Sequence, residues 1–573
     1  MVKRVASSAP KSIKRRKVST ATPIDKPDGL RSPKSTSSKA TAIPPLRRHA
    51  RDYHHPLFLS HANSSERLLQ WFDSTSTARN MPWRKPFPAA TSLPEDPDEV
   101  QELLSRRAYE VWVSEIMLQQ TRVSTVIPYF NNWIEKWPTV QALAEASQDD
   151  VLAAWKGLGY YSRATRLWKG AKMVVDELAG RLPGDVEGLL KVSGIGPYTA
   201  GAVASIAFGR AVPLVDGNVA RVLSRQIGLF ADMKKREVDT MIWETARALV
   251  RDASTKQHSE HESAMESGQS TVLDMSDIPG RWNQALMELG STICTPRPRC
   301  GDCPIQDTCR TFAEGALVAE KLAAAHEAPN VDIEDACNLC DPLEPETVEA
   351  ASLGMPAADA QTAEDKENVG KAARTTVKGI KSLHQKGPRQ RSLQDFAFKG
   401  PAKVEQATSK TEARQPLNEI TAYCSLFPKR AIKKQVPEED CAVCVIEYKS
   451  RTGPSRFLIE QRPDTGLLAS MWQLPSFTIV GGGAEEDVRE QMSSLTAGVV
   501  HGQEVEYLGP LGKHAHVFSH LKLNMHVHYL RVDGGDAPPG AKQTSRQKWV
   551  DWKGVEDATM GTGMRKCWAM LKR

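Results

Sequence analysis

A glycine-punctuated turn between two helical patterns constrains this chain more than any other feature. The turn lies at Gly194 and Gly196, and Asp216 follows twenty residues after Gly196 in the sequence VDGN. Glycines there allow a tight turn whose backbone N–H groups point outward, so the start of the next helix can bind an anion. Such a hairpin suits the phosphates of a nucleic acid, because it needs no particular base and no side-chain charge. Asp216 is either a helix N-cap or a catalytic carboxylate, and composition alone favours the cap.

Hydropathy and composition divide the chain into regions. Its 573 residues exceed what one hydrophobic core usually serves, so two folded domains with linkers are expected. Apolar residues recur at helical spacing over 61–315, with polar insertions at 88–105 and 252–278. Residues 316–418 are rich in Ala, Glu, Lys and Pro, which predicts an interdomain linker. Strand patterns over 419–573 predict a separate α+β domain.

The first 60 residues predict a disordered basic arm. Residues 1–52 carry 14 Lys and Arg against 3 Asp and Glu, with too few apolar residues to build a core. Within them Lys14–Val18, KRRKV, resembles a nuclear localisation signal, and a polybasic arm attracted to DNA phosphates is a compatible alternative. We expect a nuclear protein, with a mitochondrial share left open. No apolar run of membrane-spanning length occurs, so no membrane contact is expected. We also expect a monomer.

Glu115 is the candidate partner of Asp216. It stands in the helical pattern VWVSEIMLQQT, and its apolar neighbours favour partial burial over the usual solvated position of a helical glutamate. Burial raises the pKa of a carboxyl group toward the range that suits a general acid. Cleavage of a glycosidic bond uses two carboxylates, and Glu115 and Asp216 are the best pair in the sequence.

Several separated motifs resemble those of the adenine DNA glycosylases of the MutY type, within the helix-hairpin-helix (endonuclease III) superfamily. They are PWR at 82–84, the pattern around Glu115, GLGYYSR at 157–163, the hairpin SGIGPYTAGAV and the sequence VDGNVARVLSR. The resemblance implies an all-α helix-hairpin-helix glycosylase domain, a loop that binds an iron–sulfur cluster, and a C-terminal α+β Nudix-like domain. It implies removal of adenine paired with 8-oxoguanine or guanine in double-stranded DNA, with Glu115 protonating adenine N7 and Asp216 stabilising the cationic sugar.

Two other functions stay open at this point. A pyrimidine- or thymine-directed glycosylase of the same superfamily is one, although the C-terminal domain speaks against it. A non-catalytic protein that binds DNA damage and recruits a clamp is the other, and the intact Glu115 and Asp216 argue against it.

The same resemblance implies roles for further residues. Tyr198 and Asn218 match positions that support the two carboxylates. Bifunctional members of the superfamily carry a Schiff-base lysine at the position of Tyr198, so the phenol implies a monofunctional enzyme that leaves an abasic site. Substrate- or DNA-binding positions are matched by Trp83, Arg84, Leu118, Gln119, Gln120, Tyr160, Gly194, Gly196 and Glu288. Ordinary core packing is the alternative for Trp83, Leu118 and Tyr160.

Four of the ten cysteines form a metal-binding pattern with the spacing C-x5-C-x2-C-x5-C: Cys294, Cys300, Cys303 and Cys309. Thiolates this close in sequence suit either a 4Fe–4S cluster or a structural zinc ion. The family resemblance favours the 4Fe–4S cluster, although the family pattern has six residues in the first gap and this chain has five. Cys441 and Cys444 alternate within a strand pattern and are expected in the core.

A second cysteine pair, Cys337 and Cys340, lies in the predicted linker, where two free thiols are one interpretation. Animal members of the resembled family use a similar C-x2-C pair, a further cysteine and an N-terminal histidine to bind zinc. The resemblance therefore implies a zinc site that combines this pair with His54 or His55. The further cysteine is missing here, so a complete site needs a substitute ligand, for which His326 and Asp335 are candidates.

The linker also holds a candidate partner-binding peptide. Gln390–Phe398, QRSLQDFAF, resembles the peptide that binds a sliding clamp, with Ala397 in place of the second aromatic residue. A solvated linker segment is an equal alternative. The family resemblance implies a contact of the linker with a checkpoint clamp as well.

The C-terminal segment resembles the Nudix-like domain with which the family recognises 8-oxoguanine. The match rests on GLLASMWQLPSF at 466–477 and on Phe518, Ser519 and His520, which would contact the damaged base. Strand packing is the alternative for Phe518. We find no glutamate-rich Nudix box for Mg²⁺, so pyrophosphohydrolase activity is not expected.

Overall fold

The structure is a computed structural model. It describes residues 47, 49–61, 63–88, 93–262, 276–320, 336–344, 346–348, 414–430, 436–463, 466–479, 485–500, 505–518, 521–535, 538 and 546–572. Several predictions concern residues outside these ranges: Lys14–Val18, His326, Asp335, Gln390–Phe398, Ser519 and His520. Among the described helices, none combines the length and the apolar character that crossing a bilayer requires.

The first large region is helical, as the hydropathy pattern predicts. Its helices are α1 (Ser64–Arg79), α2 (Pro97–Leu118), α3 (Val123–Lys136), α4 (Val140–Glu145), α5 (Gln148–Ala154), α6 (Ser162–Glu177), α7 (Val186–Lys191), α8 (Pro197–Phe208), α9 (Gly217–Gln226), α10 (Arg236–Glu262), α11 (Ile278–Thr292) and α12 (Arg310–Ala319). Short polar side chains cap the backbone N–H groups at the start of five of them: Asp96, Thr139, Ser147, Asp185 and Asp216. Buried tryptophans dominate the core between them, namely Trp112, Trp133, Trp155 and Trp282.

Both predicted polar insertions turn out to contain helix. Residues 97–105 form the first turns of α2, because Asp96 caps the helix, Pro97 opens it, and Leu104 is buried against the core. Residues 252–262 continue α10.

Part of the predicted disordered arm is folded, and we correct that prediction. Residues 51–54 and 57–60 form short 3₁₀ turns, and His54 and Phe58 are buried. Arg47 is buried as well, where it forms an ion pair with Glu314 (3.0 Å) and donates to the carbonyl of Gly228 (2.5 Å). The composition of the whole arm concealed the short apolar and histidine-rich segment at its end.

The predicted linker also contains ordered segments, so its assignment needs a second correction. Ala336 pairs with Ala50 in a β-bridge, and Leu339 is buried in the helical core. The helix α13 (Arg414–Ser425) spans the predicted linker boundary and packs against α12, where Gly315 allows close contact with Ile420. Apolar residues hidden in a polar stretch account for both segments.

The C-terminal region is an α/β layer structure built on a seven-stranded mixed sheet. The strands are β1 (Glu438–Lys449), β2 (Arg456–Gln461), β3 (Trp472–Gln473), β4 (Ser476–Ile479), β5 (Val505–Val517), β6 (Lys522–Asp533) and β7 (Gln547–Val550). They follow the order β3-β2-β1-β6-β5, with β4 paired to β1, β7 paired to β2, and β1 parallel to β6. One face packs on α14 (Glu485–Val500), and the other on α15 (Trp552–Asp557) and α16 (Thr562–Trp568).

The central strand β1 carries the two cysteines expected in the core. Cys441 and Cys444 are both buried, and they belong to the apolar clusters on opposite faces of the sheet. An odd spacing along a strand places two side chains on opposite faces. The helical domain followed by a sheet domain confirms the fold class that the sequence predicts.

Candidate active site

One open cavity of about 720 Å³ lies in the helical region, bounded by the end of α2, the start of α8, the start of α9 and α11. Ten of the residues singled out in the sequence line it: Trp83, Arg84, Glu115, Leu118, Gln119, Gln120, Tyr198, Asp216, Asn218 and Glu288. Tyr160, Gly194, Gly196 and Phe518 lie elsewhere. Residues from the end of α2, from the helix that follows the glycine hairpin and from the VDGN turn thus lie together at a single site.

Glu115 is almost completely buried, with 6% of its surface exposed. It stands one turn before the end of α2, between the buried side chains of Val113 and Met117. Burial is the largest cause that raises the pKa of Glu115, to about 7, and the nearby charge of Asp216 acts in the same direction. A group with this pKa is present in both protonation states near neutral pH, which suits a general acid.

Tyr198 holds the carboxyl group of Glu115. Its hydroxyl donates to Glu115 Oε2 at 2.5 Å, and Met287 Sδ lies 3.2 Å from the same hydroxyl. Burial and the Glu115 carboxylate raise the pKa of Tyr198 well above its usual value, so the phenol stays protonated and remains a donor. This hydrogen bond lowers the pKa of Glu115 and partly offsets the effect of burial.

A pH prediction follows from this pair. Excision that needs protonated Glu115 should slow as the pH rises through about 7, because the acid is then lost. In Tyr198→Phe the hydrogen bond that lowers the pKa of Glu115 is absent, so the pH at which the excision rate falls should be higher than in the wild type. The measurement is the single-turnover excision rate against pH. Tyr129→Phe is the matched control, because it removes a hydroxyl that bonds the carbonyl of Lys156 outside the cavity. If the excision rate of Tyr198→Phe falls at the same pH as in the wild type, or at a lower pH, Glu115 is not the acid.

Asp216 is the N-cap of α9 and also faces the cavity, so the two interpretations of this residue are compatible. Its Oδ1 accepts from the backbone N–H of Val219 at 2.7 Å. Its Oδ2 accepts from Asn218 Nδ2 at 2.8 Å, and Asn218 is held in turn by Arg221 Nη2 at 2.9 Å. These bonds fix the orientation of a half-buried carboxylate at the start of a helix.

Glu288 forms the floor of the cavity with two arginines. Its carboxylate is 1% exposed and pairs with Arg79 Nη1 at 2.5 Å and Arg84 Nη2 at 2.8 Å. Arg79 is a residue that the sequence interpretation missed, since nothing near position 79 points to a partner on α11. Trp83 packs edge-on against Phe130 in the core and also lines the cavity, so core packing and a place on the cavity wall are compatible.

Gln120 lines the cavity, and Tyr160 lies outside it in a second turn. Both have positive φ angles, 56° and 47°, which non-glycine residues rarely adopt. Tyr160 is 51% exposed, and Gln120 is exposed as well. Arg163 ties the two turns together, with bonds to the carbonyls of Met117 (3.0 Å) and Gly159 (3.1 Å). Arg163 belongs to the GLGYYSR motif, but no pattern in the sequence predicts this role.

The two hairpin glycines differ in what they contribute. Gly194 has φ of 88°, and a side chain there would meet the Cβ of Arg166 at 3.0 Å, so the turn requires glycine. Gly196 is the N-cap of α8 with extended backbone, and a Cβ added to it would meet no atom within 4 Å. The start of α8 is therefore open to an anion approaching its N–H groups.

The four clustered cysteines line one further cavity despite the short first gap. Apolar side chains from α9, α11 and α12 complete it, including Val222, Leu289 and Phe312. Arg225, which is 2% exposed, donates from Nη1 to Cys294 Sγ (3.2 Å) and to the carbonyl of Thr295 (2.7 Å). Four thiols around an apolar cavity fit a group that is bound by soft sulfur ligands.

Cys337, Cys340 and His54 come together with a histidine that the sequence interpretation missed, His49. Their four ligand atoms lie within 4.8 Å of one another. His54 Nε2 is 3.3 Å from Cys337 Sγ, 3.5 Å from Cys340 Sγ and 3.1 Å from His49 Nε2. The H-x4-H spacing was a signal that could have identified His49. His55 stays outside the group, and its carbonyl accepts from Arg310.

Phe518 lies at the turn between β5 and β6. Its N–H donates to the carbonyl of Leu521 at 2.7 Å, which closes the turn, and its ring packs edge-on against His516. The ring is half-buried beside Arg462 and Met564. Phe518 therefore packs at the end of β5 and is half-buried there.

The chain is similar to known DNA repair proteins over most of its length. Residues 113–248 match the HhH-GPD superfamily of base excision DNA repair proteins, and residues 442–570 match the NUDIX domain family. Adenine DNA glycosylase of Rattus norvegicus is 33% identical over 510 residues, which cover 87% of this chain and 76% of the relative. Adenine DNA glycosylase of Homo sapiens is 34% identical over a region that covers 87% of this chain and 72% of the human chain. That of Schizosaccharomyces pombe is 31% identical over 84% of each.

Proposed function

The chain belongs to the family of adenine DNA glycosylases, and on that premise we propose that it removes adenine paired with 8-oxoguanine or guanine in double-stranded DNA. One observation carries the proposal: a buried carboxyl group with a pKa of about 7, Glu115, shares a cavity with the fixed carboxylate of Asp216. Cleavage of a glycosidic bond needs an acid for the leaving group and an anion for the cationic sugar. The two groups supply these roles.

The proposed reaction begins when adenine leaves the base stack and enters the cavity. Glu115 donates its proton to N7 of adenine, and the bond between the sugar and the base breaks with its electron pair moving to the base. Asp216 stabilises the positive charge that develops on the sugar. A water molecule then adds to the sugar carbon and gives a proton to the carboxylate of Glu115, which restores the acid and leaves an abasic site. Tyr198 and Asn218 act as positioning residues, since each holds one of the carboxylates.

Recognition of the base is assigned to the residues around Glu288. Its carboxylate is anchored by Arg79 and Arg84, so its orientation is fixed before a base arrives. A carboxylate accepts hydrogen bonds only, and adenine offers the donor N6 amino group. Trp83 and Leu118 provide the apolar walls on which a flat base can pack. Gln120 and Tyr160 are proposed to enter the space that the flipped base leaves.

The proposed product is an abasic site in an unbroken strand. None of the described residues that line the cavity is a lysine, and Tyr198 cannot form a Schiff base. The test is an analysis of products from duplexes that contain adenine opposite 8-oxoguanine. Strands should stay intact until alkali is added.

For the cavity of four cysteines we propose a 4Fe–4S cluster held by Cys294, Cys300, Cys303 and Cys309. Among the described residues, the group around His54 is the one whose ligand atoms lie close enough together to bind a single metal ion. The four clustered cysteines instead surround a cavity. A wider arrangement of thiols suits a multi-iron cluster better than one zinc ion. When bound, the cluster would supply structural support to the loop 294–309, since cleavage of an N-glycosidic bond needs no redox step.

For the second metal group we propose Zn²⁺ bound by His49, His54, Cys337 and Cys340. His49 Nδ1 lies 2.6 Å from the carbonyl of Arg47, and His54 Nδ1 lies 2.8 Å from that of Ile227. Each carbonyl accepts a hydrogen bond only from a protonated Nδ1, so it leaves the lone pair of Nε2 available for a metal ion. Two imidazoles and two thiolates form a common tetrahedral zinc set.

The zinc assignment predicts different results for two neighbouring histidines. Purified wild-type protein should contain zinc, and His49→Ala should lose it because one of four ligands is removed. His55→Ala is the matched control and should keep the zinc, since His55 lies outside the group. His49→Cys should keep it as well, because a thiolate replaces the imidazole. Elemental analysis checks these outcomes, and equal zinc content in His49→Ala and His55→Ala would refute the assignment of His49.

The protein partners remain proposals from the sequence. A sliding clamp is assigned to Gln390–Phe398, which lie outside the described residues, and a checkpoint clamp to the linker, of which the structure describes part. Recognition of 8-oxoguanine is assigned to the turn at Phe518, Ser519 and His520, of which Phe518 is described. A nuclear location is likewise proposed from Lys14–Val18.

A further inference from the structure

A fifth thiol faces the cavity of the four clustered cysteines. Cys424, near the end of α13, is 1% exposed and lines this cavity together with Cys294, Cys300, Cys303 and Cys309. Its thiol lies beside the thiol of Cys300. A cluster of four irons needs four cysteine thiolates, so this cavity contains one thiol more than the cluster would use.

Several contacts hold α13 against the cysteine loop. The side chain of Thr421 lies beside Cys300, and the side chain of Leu417 packs so close to Gly301 that a Cβ added to the glycine would be 3.1 Å from it. Arg225 joins the two segments, because its Nε donates to the carbonyl of Phe427 at 3.0 Å while its Nη1 contacts Cys294 Sγ at 3.2 Å. Contacts before and after Cys424 in the sequence therefore hold it next to the cysteine loop.

Cys424 differs from the other buried cysteines of this chain. A free cysteine usually packs as a small apolar residue. Cys441, Cys444 and Cys567 do so, since all three lie in the apolar clusters of the sheet region. The sulfur partner of Cys424 is a cysteine of the cluster loop, and this distinguishes it.

We propose that Cys424 is an alternative ligand to Cys300 at the iron–sulfur site, an inference that rests on the cluster proposed above. In the exchange, the iron–sulfur bond to Cys300 breaks and a bond from iron to Cys424 forms. The proton of the Cys424 thiol passes to the Cys300 thiolate, so charge and electron count are unchanged. The exchange joins the cluster to the helix that leads into the C-terminal sheet region.

The test compares paired variants of the full-length chain, purified without oxygen and measured for iron per protein and for the visible absorbance of iron thiolates. Cys300→Ala should retain most of its iron because Cys424 takes over, and Cys300→Ala with Cys424→Ala should lose it. Cys303→Ala is the matched control: it should lose iron, with or without Cys424→Ala, because within the described residues the thiol of Cys424 interacts with Cys300 and Cys309 and not with Cys303. Cys424→Ala alone should retain its iron.

The outcomes separate this inference from the cluster proposal. Wild-type protein without iron would refute the cluster itself. Iron in the wild type with equal loss in Cys300→Ala and Cys303→Ala would refute the role of Cys424 alone. If Cys300→Ala and Cys303→Ala are both insoluble, the test is the rate at which wild type and Cys424→Ala lose iron in air. Cys424→Ala should lose iron several-fold faster than wild type, and an equal rate would overturn the inference.

Discussion

Glu115→Gln is expected to lower the rate of adenine excision by about 10²–10⁴-fold, the usual contribution of a general acid. Glutamine keeps the volume and the hydrogen bond with Tyr198 but has no proton to give to the base. Binding of a duplex with adenine opposite 8-oxoguanine should survive, as measured by gel shift. Asp216→Asn should also abolish measurable excision, because it removes the charge that faces the cationic sugar.

The chain offers matched controls for both substitutions. Asparagine is a good N-cap, so Asp216→Asn keeps the start of α9 and removes the charge alone. Asp185→Asn makes the same change at the N-cap of α7, outside the cavity, and should leave the excision rate unchanged. Glu110→Gln changes a second buried glutamate of α2, one that pairs with Lys85, and should likewise retain activity. Near wild-type excision by Glu115→Gln would show that another group is the acid.

Stability gives an independent check on Glu115. Its pKa is raised from 4.5 to about 7 in the folded protein, so the free energy of unfolding falls as the pH rises from about 4.5 to about 7 and stays at the lower value at higher pH. Glutamine cannot ionise and avoids this cost. A loss of activity in Glu115→Gln without a loss of stability at pH 8 would therefore separate the catalytic role from a folding defect.

The second large effect concerns the base opposite adenine. Changing Ser519 and His520 together to alanine should reduce the preference for 8-oxoguanine over guanine by roughly 1–3 kcal/mol, or about 5- to 150-fold, the scale of base-specific contacts. Excision from adenine:guanine duplexes should persist, because Glu115 and Asp216 are unchanged. The measurement is the ratio of single-turnover rates on the two duplexes.

The turn that carries these residues provides its own control. Val517 is 51% exposed at the end of β5, so Val517→Ala changes the same hairpin without removing a polar group. This variant should keep the wild-type ratio. Removal of the whole C-terminal region would be a poorer test, because α13 packs on α12 and on the cysteine loop. An unchanged ratio in the double variant would assign discrimination to Gln120 and Tyr160 instead.

The helical region and its two carboxylates could be predicted because their signals are local. Glu115 lies in an apolar helical pattern, and Asp216 follows a glycine hairpin at a short distance. The bond between Tyr198 and Glu115 joins residues far apart in sequence, so only the family resemblance suggested that they meet. Arg79 had no signal at all, since its partner Glu288 belongs to another helix.

Composition misled the interpretation where folded segments are short. His49 and His54 lie at the end of a basic arm, and averaging over the arm hid the burial of both and the role of His49, which faces Cys337 together with His54. Cys424 lies beyond a long polar stretch from Cys309, and no spacing rule joins residues across such a gap. Both sites depend on how distant segments pack together, which the sequence pattern does not encode.

The measurement that tests the central claim most directly is product analysis with labelled duplexes carrying adenine opposite 8-oxoguanine, adenine opposite guanine, cytosine opposite 8-oxoguanine, or thymine opposite guanine. The account predicts release of free adenine from the first two, with strands that break only after alkali and no efficient trapping of a protein–DNA adduct by borohydride. The cytosine and thymine strands should remain uncut after alkali. Release of thymine, or strong borohydride trapping that depends on a lysine, would contradict a monofunctional adenine glycosylase.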